Sequence, residues 1–303
     1  MALIYFAPLQ SYTTLPYYMA FNSIVGNVDK YFTPFYRLNK QGEFEYEKQL
    51  HYSPELNLVP QILANSGRDL LCFARDMLDR GFREINLNIG CPFPMVANRH
   101  LGSGLLPYPN ELNGMLEAYF SKDLPVQLSV KMRLGWKESS DIKAIMQVLK
   151  RFPISELILH PRTGVQKYKG TPDWEKFGEV VGCWDGPIVG NGDIMTNEDI
   201  QDKQREFDTV KGWMIGRGLL INPLLLSDQD SSCDELLTTI RKIHDCFIEN
   251  LKMFGYSDPQ ILNHLKCFWE YPSKNIDGGA RIYKKLRKTG KLDDYGSVLD
   301  SFI

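Results

Sequence analysis

The residues best able to do chemistry in this chain stand at the ends of short apolar runs. Cys91 lies in Asn86-Leu87-Asn88-Ile89-Gly90-Cys91-Pro92, in a loop just past one such run. A free thiol has a pKa of about 8.5, so at neutral pH it can donate a proton as readily as it can become a nucleophile; we read it as the acid. Gln61, Lys131 and His160 end three other runs. An amide both donates and accepts, which suits Gln61 to a planar heterocycle with carbonyl and N–H edges, such as an isoalloxazine. Lys131 supplies a cation of the kind that stabilises the reduced, anionic form of that ring. Gly190-Asn191-Gly192-Asp193 and Gly216-Arg217-Gly218 are corners at which glycine lets the backbone approach an anion closely, as at a phosphate site. Neither corner matches Gly-x-Gly-x-x-Gly or a Walker A loop, so a dinucleotide resident in a Rossmann site is not expected.

These positions need elements that bring them together. Eight β-type runs are visible, at residues 3–8, 31–36, 58–63, 85–88, 126–132, 157–160, 188–191 and 212–216. Helical spacing fills most intervals, as at 68–80, 111–119, 141–151, 197–204 and shortly after Arg217. Strand then helix, eight times over, predicts an α/β chain folded as a (β/α)8 TIM barrel, with chemistry in the loops after the strands. The run ends then form one site: Pro8 with Gln10, Tyr36 with Arg37, Gln61, Asn88 with Cys91, Lys131 with Arg133, His160 with Arg162, Asn191 with Asp193, and Gly216 with Arg217. The interval 37–57 is turn-rich and charged, and reads as a loop or small insertion. After Pro223 the strand signal stops, and apolar residues recur at helical spacing from Cys233 to Leu286. The expectation is a catalytic barrel at 1–230 and a small all-helical domain at 231–303.

Composition narrows the class of function. With 303 residues, 43% hydrophobic, the chain has an ordinary soluble composition. Its 35 Lys+Arg against 37 Asp+Glu exclude a globally basic nucleic-acid binder but allow a local basic face. The apolar stretch 1–9 is far short of the roughly 20 residues that span a bilayer and lacks the flanks of a leader, so a cytoplasmic protein without membrane contact is expected. Six scattered cysteines with no Cys-x-x-Cys pair signal neither a disulfide framework nor a metal site. No coiled-coil pattern is present, and a monomer is the default expectation.

Taken together, several stretches resemble the tRNA-dihydrouridine synthases, a family of FMN-dependent barrels. They are Ala7-Pro8-Leu9, Val59-Pro60-Gln61, the Cys91 loop with Leu101-Gly102-Ser103-Gly104-Leu105-Leu106, Ser129-Val130-Lys131-Met132-Arg133-Leu134-Gly135-Trp136, His160-Pro161-Arg162-Thr163, Gly190-Asn191-Gly192-Asp193-Ile194 and Met214-Ile215-Gly216-Arg217-Gly218. Two features depart from the family's pattern: the first loop reads Leu9-Gln10-Ser11-Tyr12-Thr13, and Pro161 follows His160 where glycine is usual.

The resemblance implies FMN contacts from Pro8, Leu9, Gln10, Gln61, Lys131, His160, Asn191, Gly192, Asp193, Gly216 and Arg217, with NADPH as a visiting reductant. It implies hydride transfer from reduced flavin to uracil C6 and a proton from Cys91 to C5. Asn88, with His160 or Arg162, would hold the oxyanion that develops on O4. The target uridine must leave the RNA stack, so local positive charge is needed for its phosphates. The candidates are Arg99, His100, Arg133, Lys167 and Lys169, and Lys284, Lys285, Arg287 and Lys288 in the helical region. Two rival readings are an FMN barrel acting on a free pyrimidine, as in dihydroorotate or dihydropyrimidine dehydrogenases, and an RNA-binding barrel without chemistry. The basic helical region separates the first rival from the main reading, and bound flavin the second.

Overall fold

A computed structural model describes residues 2–46, 50–227 and 232–301. Among them, short parallel strands close into a ring: β1 (Leu3–Phe6), β2 (Lys30–Phe32), β3 (Leu58–Val59), β4 (Gln61–Ile62), β5 (Glu84–Ile89), β6 (Gln127–Gly135), β7 (Leu157–Thr163), β8 (Ile188–Asn191) and β9 (Gly212–Ile215). The sheet order is β3-β2-β1-β9-β8-β7-β6-β5-β4. Its two end strands are separated in the chain by Pro60 alone. Proline has no N–H to give the ladder, so one barrel strand is written as two pieces. The Pro60 carbonyl still accepts the Asn86 N–H at 2.9 Å, and the ring closes with eight staves. This is the (β/α)8 barrel expected from the sequence. β2 stops short of its run because Pro34 follows; Tyr36 rejoins as a single bridge to Ile62. The interval after it forms no helix among the described residues, only a bridge between Leu38 and Phe44.

Side chains alternate between the two faces of a strand, and in a closed barrel one set points inward. Tyr5, Phe32, Val59, Ile158, Val189 and Met214 fill the middle of the barrel. Below them the buried Glu156 carboxylate collects Tyr5 Oη at 2.8 Å, Lys211 Nζ at 3.0 Å and Lys30 Nζ at 3.6 Å, which plugs the amino-terminal end. The outward set packs under the helices in one large apolar core.

That core continues into the carboxy-terminal helices Cys233–Met253, Asp258–Phe268, Gly279–Leu286 and Leu292–Asp300. They dock on the helix Leu15–Ile24, where Tyr17 meets the rings of Phe247 and Phe268 at 5.8 and 6.1 Å and the Pro16 carbonyl accepts Asn250 Nδ2 at 3.0 Å. The expected boundary at 230/231 lies outside the described residues. Among those described, no helix is long and apolar enough to cross a membrane.

Candidate active site

The strand registers pair Gln61 with Asn86, Asn88 with Lys131, Arg133 with His160, and Asn191 with Met214. Because inward positions repeat every second residue, Asn86 and Asn88, then Ser129, Lys131 and Arg133, then His160 and Arg162, stack up the inner wall. They lead to a cavity of about 310 Å³ at the carboxy-terminal mouth. Pro8, Leu9, Gln10, Gln61, Asn88, Cys91, Lys131, His160, Asn191, Gly192, Asp193, Gly216 and Arg217 all line it. Seven of the eight run ends thus share one site; Tyr36 and Arg37, at the end of the second run, line the neighbouring hollow instead.

A chain of amides sets one wall. The fully buried Gln61 donates from Nε2 to Asn86 Oδ1 at 2.8 Å and accepts Asn88 Nδ2 on Oε1 at 2.7 Å. Asn86 in turn donates to Ser129 Oγ at 3.0 Å. Asn88 Oδ1 accepts the backbone N–H groups of Gly90 and Cys91, both at 2.9 Å. With its oxygen and one amide hydrogen committed in this way, Asn88 fixes the Cys91 loop, and it lines the cavity with a second amide hydrogen that has no partner among the described residues. On the far side of that loop the Cys91 carbonyl accepts Ser103 N at 3.0 Å and Ser103 Oγ at 2.9 Å. The thiol packs with Leu63 and Val96, and burial raises its pKa against the opposing pull of the Phe93 backbone, Arg133 and Lys131. It stays protonated at neutral pH.

Cations crowd the opposite wall. Lys131 Nζ donates to Asn191 Oδ1 at 2.8 Å, and Asn191 Nδ2 is anchored on the Met214 carbonyl at 2.7 Å. Burial, reinforced by the Arg133 charge, pulls the Lys131 ammonium down to about 7. His160 is held well below its ordinary range by burial and then by Arg133, Lys131, Arg162 and Arg217, so it is neutral. Arg162 Nη1 donates to His160 Nε2 at 3.1 Å, which leaves the ring proton on Nδ1. Asp193 binds Arg162 and also Arg217, whose Nη2 lies 2.6 Å away. Burial pushes the Asp193 carboxyl up, but the bonds and charges of the two arginines outweigh it and hold the group below the usual carboxylate range.

Two expected roles change. Arg162 is fully buried and both its Nη groups are taken up, by His160, Asp193 and the Gly170 carbonyl at 2.6 Å, while its Nε has no partner among the described residues. It lies behind the cavity wall and orients His160 and Asp193 instead of meeting a substrate. Arg133 is 2% exposed and donates to the carbonyls of Gly90 (3.1 Å), Thr163 (2.9 Å) and Lys167 (2.7 Å). A guanidinium spent on three carbonyls inside the barrel does not meet RNA phosphates at the surface; it joins the Cys91 loop to the loop after β7.

Of the other basic candidates, Arg99, Lys167, Lys169, Lys284, Lys285, Arg287 and Lys288 are exposed. His100 is half-buried, stacks on Tyr108 at 3.9 Å and sets Nδ1 3.1 Å from Glu111. Sequence reasoning missed the aromatic rim of Tyr12, Phe35, Phe93, Tyr168 and Tyr271. Tyr168 lies against the guanidinium groups of Arg217 (4.7 Å) and Arg133 (5.6 Å). For Tyr12, Phe35, Phe93 and Tyr168 the available signal was an aromatic side chain within a few residues of a strand; Tyr271, in the helical region, gave none.

The barrel is similar to solved old yellow enzymes. The homologue from Zymomonas mobilis has a TM-score of 0.51 at 12% identity, covering 73% of this chain and 86% of that one. The enzyme from Trypanosoma cruzi has 0.51 at 10%, covering 76% and 89%. At these identities the likeness is one of fold. Sequence relatives include "Probable tRNA-dihydrouridine synthase" of Staphylococcus epidermidis, 29% identical over 236 residues, covering 75% of this chain and 69% of that one. "Probable tRNA-dihydrouridine synthase 2" of Bacillus subtilis is 26% identical over 292 residues, covering 92% and 88%. The model of the family described as dihydrouridine synthase matches residues 6–271, and the cavity wall begins at Ala7 and ends at Tyr271. The match spans the whole of the site described above, and the chain belongs to the dihydrouridine synthase family.

Proposed function

We propose that this protein is a tRNA-dihydrouridine synthase, which reduces the C5=C6 bond of a uridine in tRNA with FMN as cofactor and NADPH as reductant, acting as a cytoplasmic monomer. The observation that carries the reading is a buried thiol at a cavity walled by amides and by the Lys131 side chain, in a chain of this family.

The cavity suits FMN on its own chemistry. Among the described residues the Lys131 ammonium has an amide oxygen as its hydrogen-bond partner and no carboxylate, so an anionic ring edge would complete it. Gly192 sits at a φ of 150°, and a side chain there would fill the space beside the His160 ring, 3.3 Å from Cδ2. Lys131 and Gln61 would hold the polar edge of the ring. The 191–193 corner with Gly216 and Arg217 would hold the phosphate. Bound FMN supplies the hydride that uracil C6 receives.

The chain's own residues then govern the proton. Uracil C5=C6 is conjugated to C4=O, so hydride addition at C6 leaves electron density on C5 and O4. Neutral His160, with its proton on Nδ1, is a donor available for such an oxygen. The Cys91 thiol gives its proton to C5 and completes the dihydro ring. Its raised pKa keeps the thiol loaded until the pH exceeds the ordinary thiol range, so with FMN held saturating, turnover should decline only in alkaline buffer.

The test is nucleoside mass spectrometry after incubating flavin-loaded protein with NADPH and unmodified tRNA, beside free uracil. Dihydrouridine should appear in the tRNA. Cys91→Ala should lower turnover about 10²–10⁴-fold, the usual reach of a general acid, while it retains flavin absorbance and tRNA binding. Reduction of free uracil alone would transfer the protein to the free-pyrimidine enzymes. Undiminished turnover in the variant would remove Cys91 as the acid.

A further inference from the structure

A second hollow, of about 1310 Å³, opens beside the active-site cavity and shares Gln10, Pro34, Phe35 and Phe93 with it. Two apolar side chains stand in the open there: Phe93 is 53% exposed and Met95 is 73% exposed. Both belong to the short segment that follows Cys91. Facing the same hollow are Arg37, Lys40 and Arg99, all exposed, and none of the ion pairs among the described residues involves them. The carboxylate beside them, Glu45, accepts Asn39 Nδ2 at 3.0 Å.

We propose that this groove is a second RNA subsite, which takes the unpaired nucleotides adjoining the target uridine. The inference rests on the tRNA reading of the cavity. A uridine whose base enters the cavity leaves its neighbours on the strand unstacked at the rim. Those neighbours need an apolar face for a base and cations for the phosphates between, and any base offers a π-face. Phe93 and Met95 supply the first, and Arg37, Lys40 and Arg99 the second. Phe93 lines both hollows, so the strand would pass over it. Three cations interspersed with two apolar side chains suit a polyanion better than an apolar protein segment.

The test compares unmodified tRNA with the same tRNA made abasic at the nucleotides flanking the modified uridine, and reads Kd on the flavin-loaded protein. Phe93→Ala should weaken binding of intact tRNA about tenfold, the size of one base–aromatic stack, and should differ little from wild type on the abasic tRNA. Arg37→Ala should reduce the slope of log Kd against log salt by about one. The subsite is overturned if the Phe93 penalty is the same on both RNAs, or if neither variant changes Kd; the latter would leave the groove to a protein partner. Should Phe93→Ala lose its flavin, Met95→Ala on the same two RNAs decides. Dihydrouridine formation is measured separately with wild type: its absence sinks the enzymatic reading, whereas Kd on the two RNAs judges the groove.

Discussion

Lys131 carries a charge that the folded chain leaves half answered. Burial and Arg133 depress its pKa to about 7, while the unfolded chain keeps the ordinary value near 10.5. Between those two values the unfolded state holds a proton that the native state has released, so stability without ligand rises with pH across that window. Below pH 7 both states are protonated and the penalty is present in full. Lys131→Met removes the charge, so its thermal stability relative to wild type should be most favourable at pH 6–7 and should lose that advantage as pH approaches 10. A stability difference independent of pH would show that the ammonium is not under strain. An anion in the cavity restores the proton, so FMN affinity should fall as pH rises above 7 in wild type but not in the variant. Lys131, Gln61 and Cys91 were legible in the sequence because polar types at the ends of apolar strands stand out. Arg133 and Arg162 were not, since spacing reveals which face a residue occupies but not how many carbonyls or carboxylates lie within its reach there.

At the scale of elements, the position of Cys91 depends on the backbone behind it. Gly102 has a φ of 56°, and a Cβ there would stand 2.6 Å from the Cys91 carbonyl oxygen and 2.8 Å from Cys91 Cβ. Gly102→Ala therefore incurs left-handed strain, on the order of 1–3 kcal/mol, and also displaces the Cys91 loop. Gly255 has a φ of 75° with open space around it, so Gly255→Ala incurs the strain alone. Thermal unfolding should register both substitutions. Turnover should collapse toward the Cys91→Ala value only in Gly102→Ala, and equal turnover in the two would separate Cys91 from its backbone support. The same scale explains what the periodicity revealed of the fold. The strands β5 to β9 were visible as apolar runs, though β6 and β7 extend past theirs to Gly135 and Thr163. The helix Leu15–Ile24 was not among the stretches read from the sequence. It is wedged between the barrel and Cys233–Met253, with Leu15, Tyr17, Tyr18, Ala20 and Phe21 all buried, so it has no polar stripe to betray a helical period.

Across the whole molecule, one carboxylate joins the cavity to the basic helical region. Glu270 Oε2 accepts Tyr12 Oη at 2.7 Å and Tyr283 Oη at 3.1 Å. Tyr12 lies in the loop after β1 and lines the cavity, edge-on to Tyr271 at 4.9 Å. Tyr283 belongs to the helix Gly279–Leu286, which also carries Lys284 and Lys285. The chain is net negative, so RNA affinity depends on where its cations are held and not on their total. Glu270→Ala removes the shared acceptor and frees the basic helix to shift against the cavity. Its Kd for tRNA should rise several-fold, about what the loss of one or two hydrogen bonds predicts, while flavin is retained. The salt slope should stay as in wild type because no cation is lost, whereas Lys284→Ala should lower it by about one. Glu270→Gln keeps an acceptor for the two phenols but removes the negative charge. Near-native affinity in that variant would assign the effect to alignment. An affinity as poor as that of the alanine variant would assign it to charge, and an unchanged Kd in both would reduce the Tyr12–Glu270–Tyr283 link to a packing contact.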